Sequence, residues 1–324
     1  MKYLVTGAAG FIGFHVSKKL CEQGHHVIGI DNLNDYYDVS LKESRLNELD
    51  SLSSFSFIKM DLTASQEILC LFEQNQFDIV IHLAAQAGVR YSIENPNAYI
   101  QANIIGYMSI LEACRVYPVQ HLVYASSSSV YGLNKEVPFS TSDKTDSQVS
   151  LYGATKKSNE LMAHSYSKLY GIATTGLRFF TVYGPWGRPD MAPYKFTKKI
   201  IEADVIDIYN NGDLSRDFTY IDDIVEGVVR VSVKPPEKSE EQVPCRVLNI
   251  GNGSPVNLLE FVETIEDKIG IKAIKNMMPM QDGDVYQTWA ETSELEVLID
   301  FKPQTSLSDG IENFVNWYKS FYKD

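Results

Sequence analysis

The chain alternates short apolar runs with longer stretches in which apolar residues recur every three or four positions. Runs at 2–6, 26–30, 55–59, 78–83, 121–126 and 173–180 read as buried strands, being short, largely apolar and bounded by turn residues. Helical periodicity fills the intervals near 11–23, 40–50, 65–75, 97–117 and 152–170. Strand–helix alternation predicts an α/β fold, a doubly wound parallel sheet with right-handed crossovers. Ligands then bind beyond the carboxyl ends of the strands. After residue 181 the alternation stops. A turn-rich loop at 183–190 is followed by a helix near 194–203, strands near 206–209 and 216–221, and a helix near 222–232. A strand near 246–250 and helices near 257–268 and 306–321 close the chain. This predicts a domain over 1–180, with a return segment near 222–250, and a smaller mixed α/β C-terminal lobe over 181–324. The polar loop 234–244 is assigned no role. Ile104, Met108, Leu111, Leu161, Met162 and Leu169 on the two long helices face either the sheet or a second copy of the chain.

The first strand runs into Gly7-Ala-Ala-Gly10-Phe11-Ile12-Gly13 and then a helix. Glycines at this spacing let the backbone turn tightly and approach a pyrophosphate seated on the helix N-terminus. The second apolar run ends in Asp31-Asn32, and an acid there accepts hydrogen bonds from an adenosine ribose. It also repels a 2′-phosphate, and the next basic residue, Lys42, is far along the chain. These features predict a dinucleotide-binding Rossmann sheet whose cofactor is NAD rather than NADP. Asp61-Leu62, Leu83-Ala84-Ala85, Ser126 and Phe179 fall at later strand ends and join the candidate cofactor site.

The fifth run ends in four serines, 126–129, and Tyr152 follows with Lys156 four residues on. In a helix that spacing stacks the pair one turn apart. An ammonium beside a phenol favours the phenolate, a shift that it and a cationic nicotinamide together supply, and a tyrosine so tuned is a general base for a sugar hydroxyl. The chain holds two other Tyr-x-x-x-Lys pairs, Tyr131/Lys135 and Tyr194/Lys198. Gly132 and Asn134 place the first in a loop, and the second has no hydroxyl run beside it, so context selects Tyr152/Lys156.

Composition narrows the reading. A formal charge of -13 and a pI near 5.0 argue against nucleic acid and anionic membranes as partners. Only eight arginines are present, so any near a motif is informative. Cys21, Cys70, Cys114 and Cys245 are dispersed, which predicts reduced thiols and no disulfide framework or zinc site. The six histidines show no ligand spacing, and His82 reads as a packed strand-end residue. No metal site is expected. A strand opening at residue 2 and the lack of a long apolar run predict a cytoplasmic protein without leader or membrane span.

The glycine loop, Asp31, the serine run and Tyr152/Lys156 together resemble the extended short-chain dehydrogenases/reductases, and more narrowly the nucleotide-sugar epimerases. The segment 177–192, Leu-Arg-Phe-Phe-Thr-Val-Tyr-Gly-Pro-Trp-Gly-Arg-Pro-Asp-Met-Ala, is most similar to UDP-glucuronate 4-epimerases, with Thr181 where most UDP-glucose epimerases have Asn. The resemblance implies that Tyr152 takes the proton of the sugar 4-hydroxyl while NAD receives the C4 hydride and later returns it to the other face. It implies that Lys156 holds the nicotinamide ribose and that Ser127 bonds the same sugar hydroxyl. Related dehydratases and decarboxylases carry acids after the catalytic Ser/Thr, whereas this chain has Ser128 and Ser129. Those serines and the Thr181 N–H suit a C6 carboxylate. For the UDP half the resemblance points to Arg188, Tyr209, Arg216 and Asp284. Gln281 departs from the Arg that many glucose/galactose epimerases carry there. Arg188 and Arg216 also read as surface ion pairs and Asp284 as a turn residue. Arg90 reads as substrate loop or scaffold, and Trp186 and Trp289 as lid or core.

The expected activity is reversible 4-epimerisation of UDP-glucuronate to UDP-galacturonate by a homodimer built on the helices near 97–117 and 152–170. Two alternatives stay open: a 4-epimerase of another UDP-hexose, and a non-catalytic NAD-binding module.

Overall fold

The computed structural model describes residues 1–239, 241–280 and 285–322. Six strands and their crossover helices come in strict succession. They are β1 (Lys2–Thr6), α1 (Phe11–Glu22), β2 (His26–Asp31), α2 (Val39–Asp50), β3 (Phe55–Lys59), α3 (Ser65–Asn75) and β4 (Ile79–His82). Two short helices follow, α4 (Tyr91–Glu94) and α5 (Pro96–Tyr99). Then come α6 (Gly106–Val116), β5 (His121–Ser127), α7 (Leu151–Tyr170) and β6 (Thr174–Phe179). The predicted strands thus form within a residue or two of their expected ends.

The expected single helix at 97–117 is instead broken. A π-helical segment, Ile100–Ile105, separates α5 from α6. The cause is Asn103, whose amide reaches away from the helix. Its Oδ1 accepts from Gln86 N at 2.8 Å, and its Nδ2 donates to Gln86 O and to Thr155 Oγ1, both at 3.0 Å. Asn159 Nδ2 donates to the Asn103 carbonyl at 2.6 Å. Such bulges cluster at functional sites, and this one pins the loop after β4 to α7.

Past α7 and β6 the chain builds a smaller lobe from β7 (Thr181–Tyr183), α8 (Ala192–Ile201), β8 (Val205–Ile208) and β9 (Ser215–Tyr220). It then returns to the main sheet through α9 (Ile221–Ser232) and β10 (Cys245–Ile250). The lobe is completed by β11 (Pro255–Asn257), α10 (Leu258–Ile269), β12 (Ile274–Met277), α11 (Ser293–Ile299) and α12 (Leu307–Tyr322). The strands β7, β11 and β12 and the helix α11 lack any periodicity long enough to be read from sequence.

The main sheet has seven parallel strands in the order β10-β6-β5-β4-β1-β2-β3. Alternate residues face opposite sides. Tyr3, Val5, Ile79, Ile81 and Val123 join one buried cluster, and Leu4, Val80, Leu122 and Tyr124 join the other. The first cluster runs on through Tyr183, Phe218 and Phe261, so the small lobe shares a core with one face of the sheet. Strand order reverses between β1 and β4, whose ends meet at Thr6 and His82. A crevice opens there by topology.

A buried ion pair ties β6 to α7 behind that crevice. Arg178 donates to Glu160 at 2.8 and 2.9 Å, and Ser126 Oγ donates to the same carboxylate at 2.7 Å. Burial alone would raise Glu160, but the guanidinium holds it below its ordinary value. Removing Arg178 leaves the buried Glu160 with only the Ser126 hydroxyl and the longer, 3.4 Å contact to Lys157. Arg178→Met is therefore expected to cost about 3–5 kcal/mol in denaturant unfolding, and a loss well under 1 kcal/mol would contradict the assignment.

Candidate active site

One cleft of about 920 Å³ runs along the carboxyl ends of the strands, from β2 and β3 across the crevice to the small lobe. At its start the backbone is bare. Gly7 has φ +73°, and a Cβ there would stand 2.8 Å from Ala84 N. A Cβ on Gly13 would collide with the Gly7 carbonyl. The α1 N-terminus has no side-chain cap, whereas α2, α7 and α10 are capped by Asp38, Ser150 and Asn257. Uncapped N–H groups on a glycine turn form a cradle for a pyrophosphate. The residues present therefore fit a dinucleotide.

Every residue expected at the cofactor site lines this cleft. Gly7, Gly10, Phe11, Ile12 and Gly13 form the turn, and Asp31, Asn32, Asp61 and Leu62 the end by β2 and β3. Leu83, Ala84, Ala85, Ser126 and Phe179 lie along the strand ends, and Tyr152 and Lys156 face them from α7. Lys42 lines it too, against the expectation that its sequence distance keeps it away. It lies on the inward face of α2, and its Nζ donates to Asn34 O at 2.8 Å and Asn34 Oδ1 at 2.9 Å. Burial lowers Lys42 while the charge of Asp31 opposes that shift.

The helix α7 starts at Ser150, whose Oγ accepts from Gly153 N at 3.0 Å, and ends at left-handed Gly171. It carries Tyr152 and Lys156 one turn apart, as predicted. Ser127 caps a short 3₁₀ turn, Ser128–Tyr131, and accepts from Ser129 N at 3.2 Å. The lysine by itself does not lower the phenol: burial raises Tyr152 above its ordinary value, while a hydrogen bond to Ser127 and the charge of Arg188 pull the other way. Lys156 is 2% exposed, and its Nζ donates to Ala125 O at 2.8 Å. Burial brings it down to about 7.

At the far end Ser128, Ser129, Thr181, Arg188 and Arg216 line the same cleft. Arg188 clasps Asp190 at 3.0 and 2.5 Å, and Tyr36 OH donates to Asp190 at 3.2 Å. Burial would raise Asp190, but the guanidinium keeps it low. Lys42, Lys156, Arg188 and Arg216 are the cleft's cations among the described residues. Tyr209 is not among the residues lining the cleft, and the guanidinium of the exposed Arg90 stands 5.5 Å from its ring centre. Asp284 and Gln281 lie outside the described residues. Trp186 packs on Phe14 and Trp317 away from the opening, and Trp289 Nε1 donates to Gly253 O at 2.9 Å.

The other tyrosine–lysine pairs stay structural. Tyr131 OH donates to Asn249 Oδ1 at 2.6 Å, and Tyr194 packs among Phe314 and Tyr318. His82 bonds Thr6 at 2.9 Å and stacks on Tyr107, as a packed residue does. No group of three or more metal-ligating side chains occurs among the described residues. None of their helices is long and apolar enough to cross a membrane.

Residues 3–251 match the NAD dependent epimerase/dehydratase family. A probable UDP-glucuronate 4-epimerase of Rhizobium meliloti is 50% identical over 335 residues, spanning 100% of this chain and 98% of that one. The crystal structure of UDP-glucuronic acid 4-epimerase from Bacillus cereus, in complex with UDP-glucuronic acid and NAD, superposes with a TM-score of 0.91 at 36% identity, over 99% and 100% of the chains. A UDP-glucose 4-epimerase from Thermotoga maritima with UDP-glucose gives 0.88 at 28% identity, over 99% and 100%. The chain belongs to the NAD dependent epimerase/dehydratase family.

The lysine carries a stability signature. Between pH 7 and 10.5 the unfolded chain binds the Lys156 proton and the folded one does not, so stability rises with pH across that window. Below it the cost of a buried ammonium is fully present. Without nucleotide, Lys156→Met is expected to melt above the unaltered protein near pH 6, with the gap closing toward pH 10. Melting curves at both pH values check this; a gap that ignores pH would contradict it.

Proposed function

We propose that the protein interconverts UDP-glucuronate and UDP-galacturonate by inverting C4 of the sugar. The observation that carries this reading is the meeting of Ser127, Tyr152 and Lys156 with the neutral donors Ser128, Ser129 and Thr181 in the cleft that holds the glycine cradle. Bound NAD supplies a reversible two-electron acceptor beside the sugar C4, and leaves the cycle unchanged. All other work falls to the chain. Tyr152 takes and returns the proton of the 4-hydroxyl, with Ser127 hydrogen-bonded to its phenol. Burial raises Tyr152 above its ordinary value, and a positive charge arriving beside it acts in the opposite sense, toward the phenolate. Lys156 orients the cofactor ribose from its bond to Ala125.

The sugar carboxylate lies against Ser128, Ser129 and Thr181. A desolvated carboxylate needs hydrogen-bond donors, and serine hydroxyls supply them without the acid–base pair that elimination requires. Arg188 and Arg216 meet the diphosphate. This arrangement favours the uronate over an uncharged UDP-hexose, and an intact general base favours an enzyme over a cofactor-binding module. Tyr152→Phe is expected to lower turnover by about 10² or more while NAD stays bound; unchanged turnover would overturn the catalytic assignment. Thr181→Asn is expected to impair UDP-glucuronate more than UDP-glucose, and equal loss on both would contradict the carboxylate site.

The reading includes a homodimer. Ile105 at the end of the π segment, Met108 on α6 and Leu161 and Leu169 on α7 are exposed, Leu161 by 58% and Leu169 by 70%. An apolar stripe on two adjacent helices suits a matching pair from a second copy. Leu161→Glu is expected to shift the protein to monomer in sedimentation, and an unchanged species would contradict this interface.

A further inference from the structure

Arg45 is the largest side chain that the fold buries completely, at 0% exposure. It projects inward from α2 and carries a charge that no carboxylate meets within ion-pair distance among the described residues. Its partners are backbone carbonyls and one phenol. Nη1 donates to Ala9 O and to Tyr37 OH, both at 2.8 Å. Nη2 donates to Trp186 O at 2.6 Å and to Gly187 O at 3.5 Å, and Nε has no partner. A buried cation so placed is costly unless what it holds together matters.

What it holds together is two loops, one 36 residues before it in the chain and one 141 residues after it. Ala9 belongs to the glycine turn. Trp186 and Gly187 belong to the loop that carries Arg188 into the far end of the cleft. Within the loop Gly187 N donates to Gly184 O at 3.1 Å and Arg188 clasps Asp190, and its remaining ties run to other elements. Trp186 sits at φ +62°, a left-handed conformation that a bulky residue adopts only when its surroundings impose it. A second grip comes from α1, where His15 Nε2 meets the Pro185 carbonyl at 3.0 Å. Burial lowers His15 to about 4, so the neutral ring donates there at ordinary pH. Tyr36 adds a third tie, from the loop after β2 to Asp190.

We infer that Arg45 is a positioning residue that couples the two halves of the cleft, so that a nucleotide ordering the glycine turn also sets the Trp186–Asp190 loop for the second nucleotide. The planar guanidinium suits this task because it aims several donors at fixed angles, which an ammonium cannot do. The energetic route is shared ordering. A ligand that fixes Ala9 fixes Arg45, and through it the carbonyls of 186 and 187, so the second ligand has less left to order. The inference rests on the proposal that the cleft takes NAD at one end and a UDP-sugar at the other.

Calorimetry on nucleotide-free protein tests it, with NAD titrated alone and again in saturating UDP, and UDP titrated with and without NAD. Linkage requires one factor in both directions. In the unaltered protein UDP is expected to tighten NAD by about fivefold or more, the usual lower range of such coupling. Arg45→Gln is expected to bring that factor below about twofold, and Arg45→Lys to leave it in between. A residue with a merely structural role would weaken each nucleotide or lower the melting temperature without changing the ratio. The unaltered protein gives an independent readout by hydrogen exchange. NAD alone is expected to slow exchange in peptides covering 186–190 by about fivefold or more. A factor of one in the unaltered protein, a factor untouched by either substitution, or no slowing of that loop by NAD would each overturn the coupling. Failure of NAD to bind at all would overturn the functional reading with it, whereas independent binding of both nucleotides would overturn the coupling alone.

Discussion

The glycine turn packs against the end of β4 with no space for a side chain at Gly7, and the rest of the cleft is built outward from that contact. A Cβ on Gly7 would press into the backbone of Ala84, the residue that opens the cleft floor. Because the turn lies that close, the first helix can start there with its N–H groups unclaimed. The same closeness lets Thr6 reach across to bond His82 and the Ala84 N–H, at 2.9 and 3.1 Å. Strand order then does the remaining work. Reversal between β1 and β4 leaves a crevice, and parallel register delivers Asp31, Ser127 and Phe179 to the same rim.

The chemistry of the site follows from burial as much as from charge. Tyr152 and Lys156 are both pushed toward their neutral forms by loss of water. Under the proposed function, a bound cationic ring and the ordered Ser127 hydroxyl are what turn the Tyr152 phenol into a base. The far end uses charge differently. Arg188 is already paired with Asp190, so its guanidinium is held in place rather than left to search.

Much of this was legible in the sequence because the main sheet obeys simple periodicities. The strand ends, the glycine turn, Asp31, the serine run and the Tyr152/Lys156 spacing all follow from pattern and turn chemistry. What escaped was set by tertiary contact. The π segment at Ile100–Ile105 depends on what Asn103 finds across the crevice, which local periodicity does not encode. In the sequence Lys42 reads only as far along the chain and Arg45 is not singled out, yet both share the inward side of α2 with Leu41, Leu46 and Leu49. The cue was present in their i, i+3 spacing, since a basic pair in phase with leucines points at the core. The direction of the Tyr152 shift was missed for a related reason: sequence shows a lysine's neighbours but not the loss of its water. Tyr209 was carried by resemblance alone, and it stands beside Arg90, not among the residues lining the cleft.

Under the proposed function the cleft inverts C4 by removing and restoring its hydrogen without exchange with solvent. Incubation of the protein with UDP-glucuronate deuterated at C4, in ordinary water and followed by NMR, tests this most directly. The account predicts a steady mixture with UDP-galacturonate, deuterium retained at C4 of both sugars, and no pentose. Loss of the label to solvent, release of carbon dioxide with a UDP-pentose, or turnover of UDP-glucose alone would contradict it.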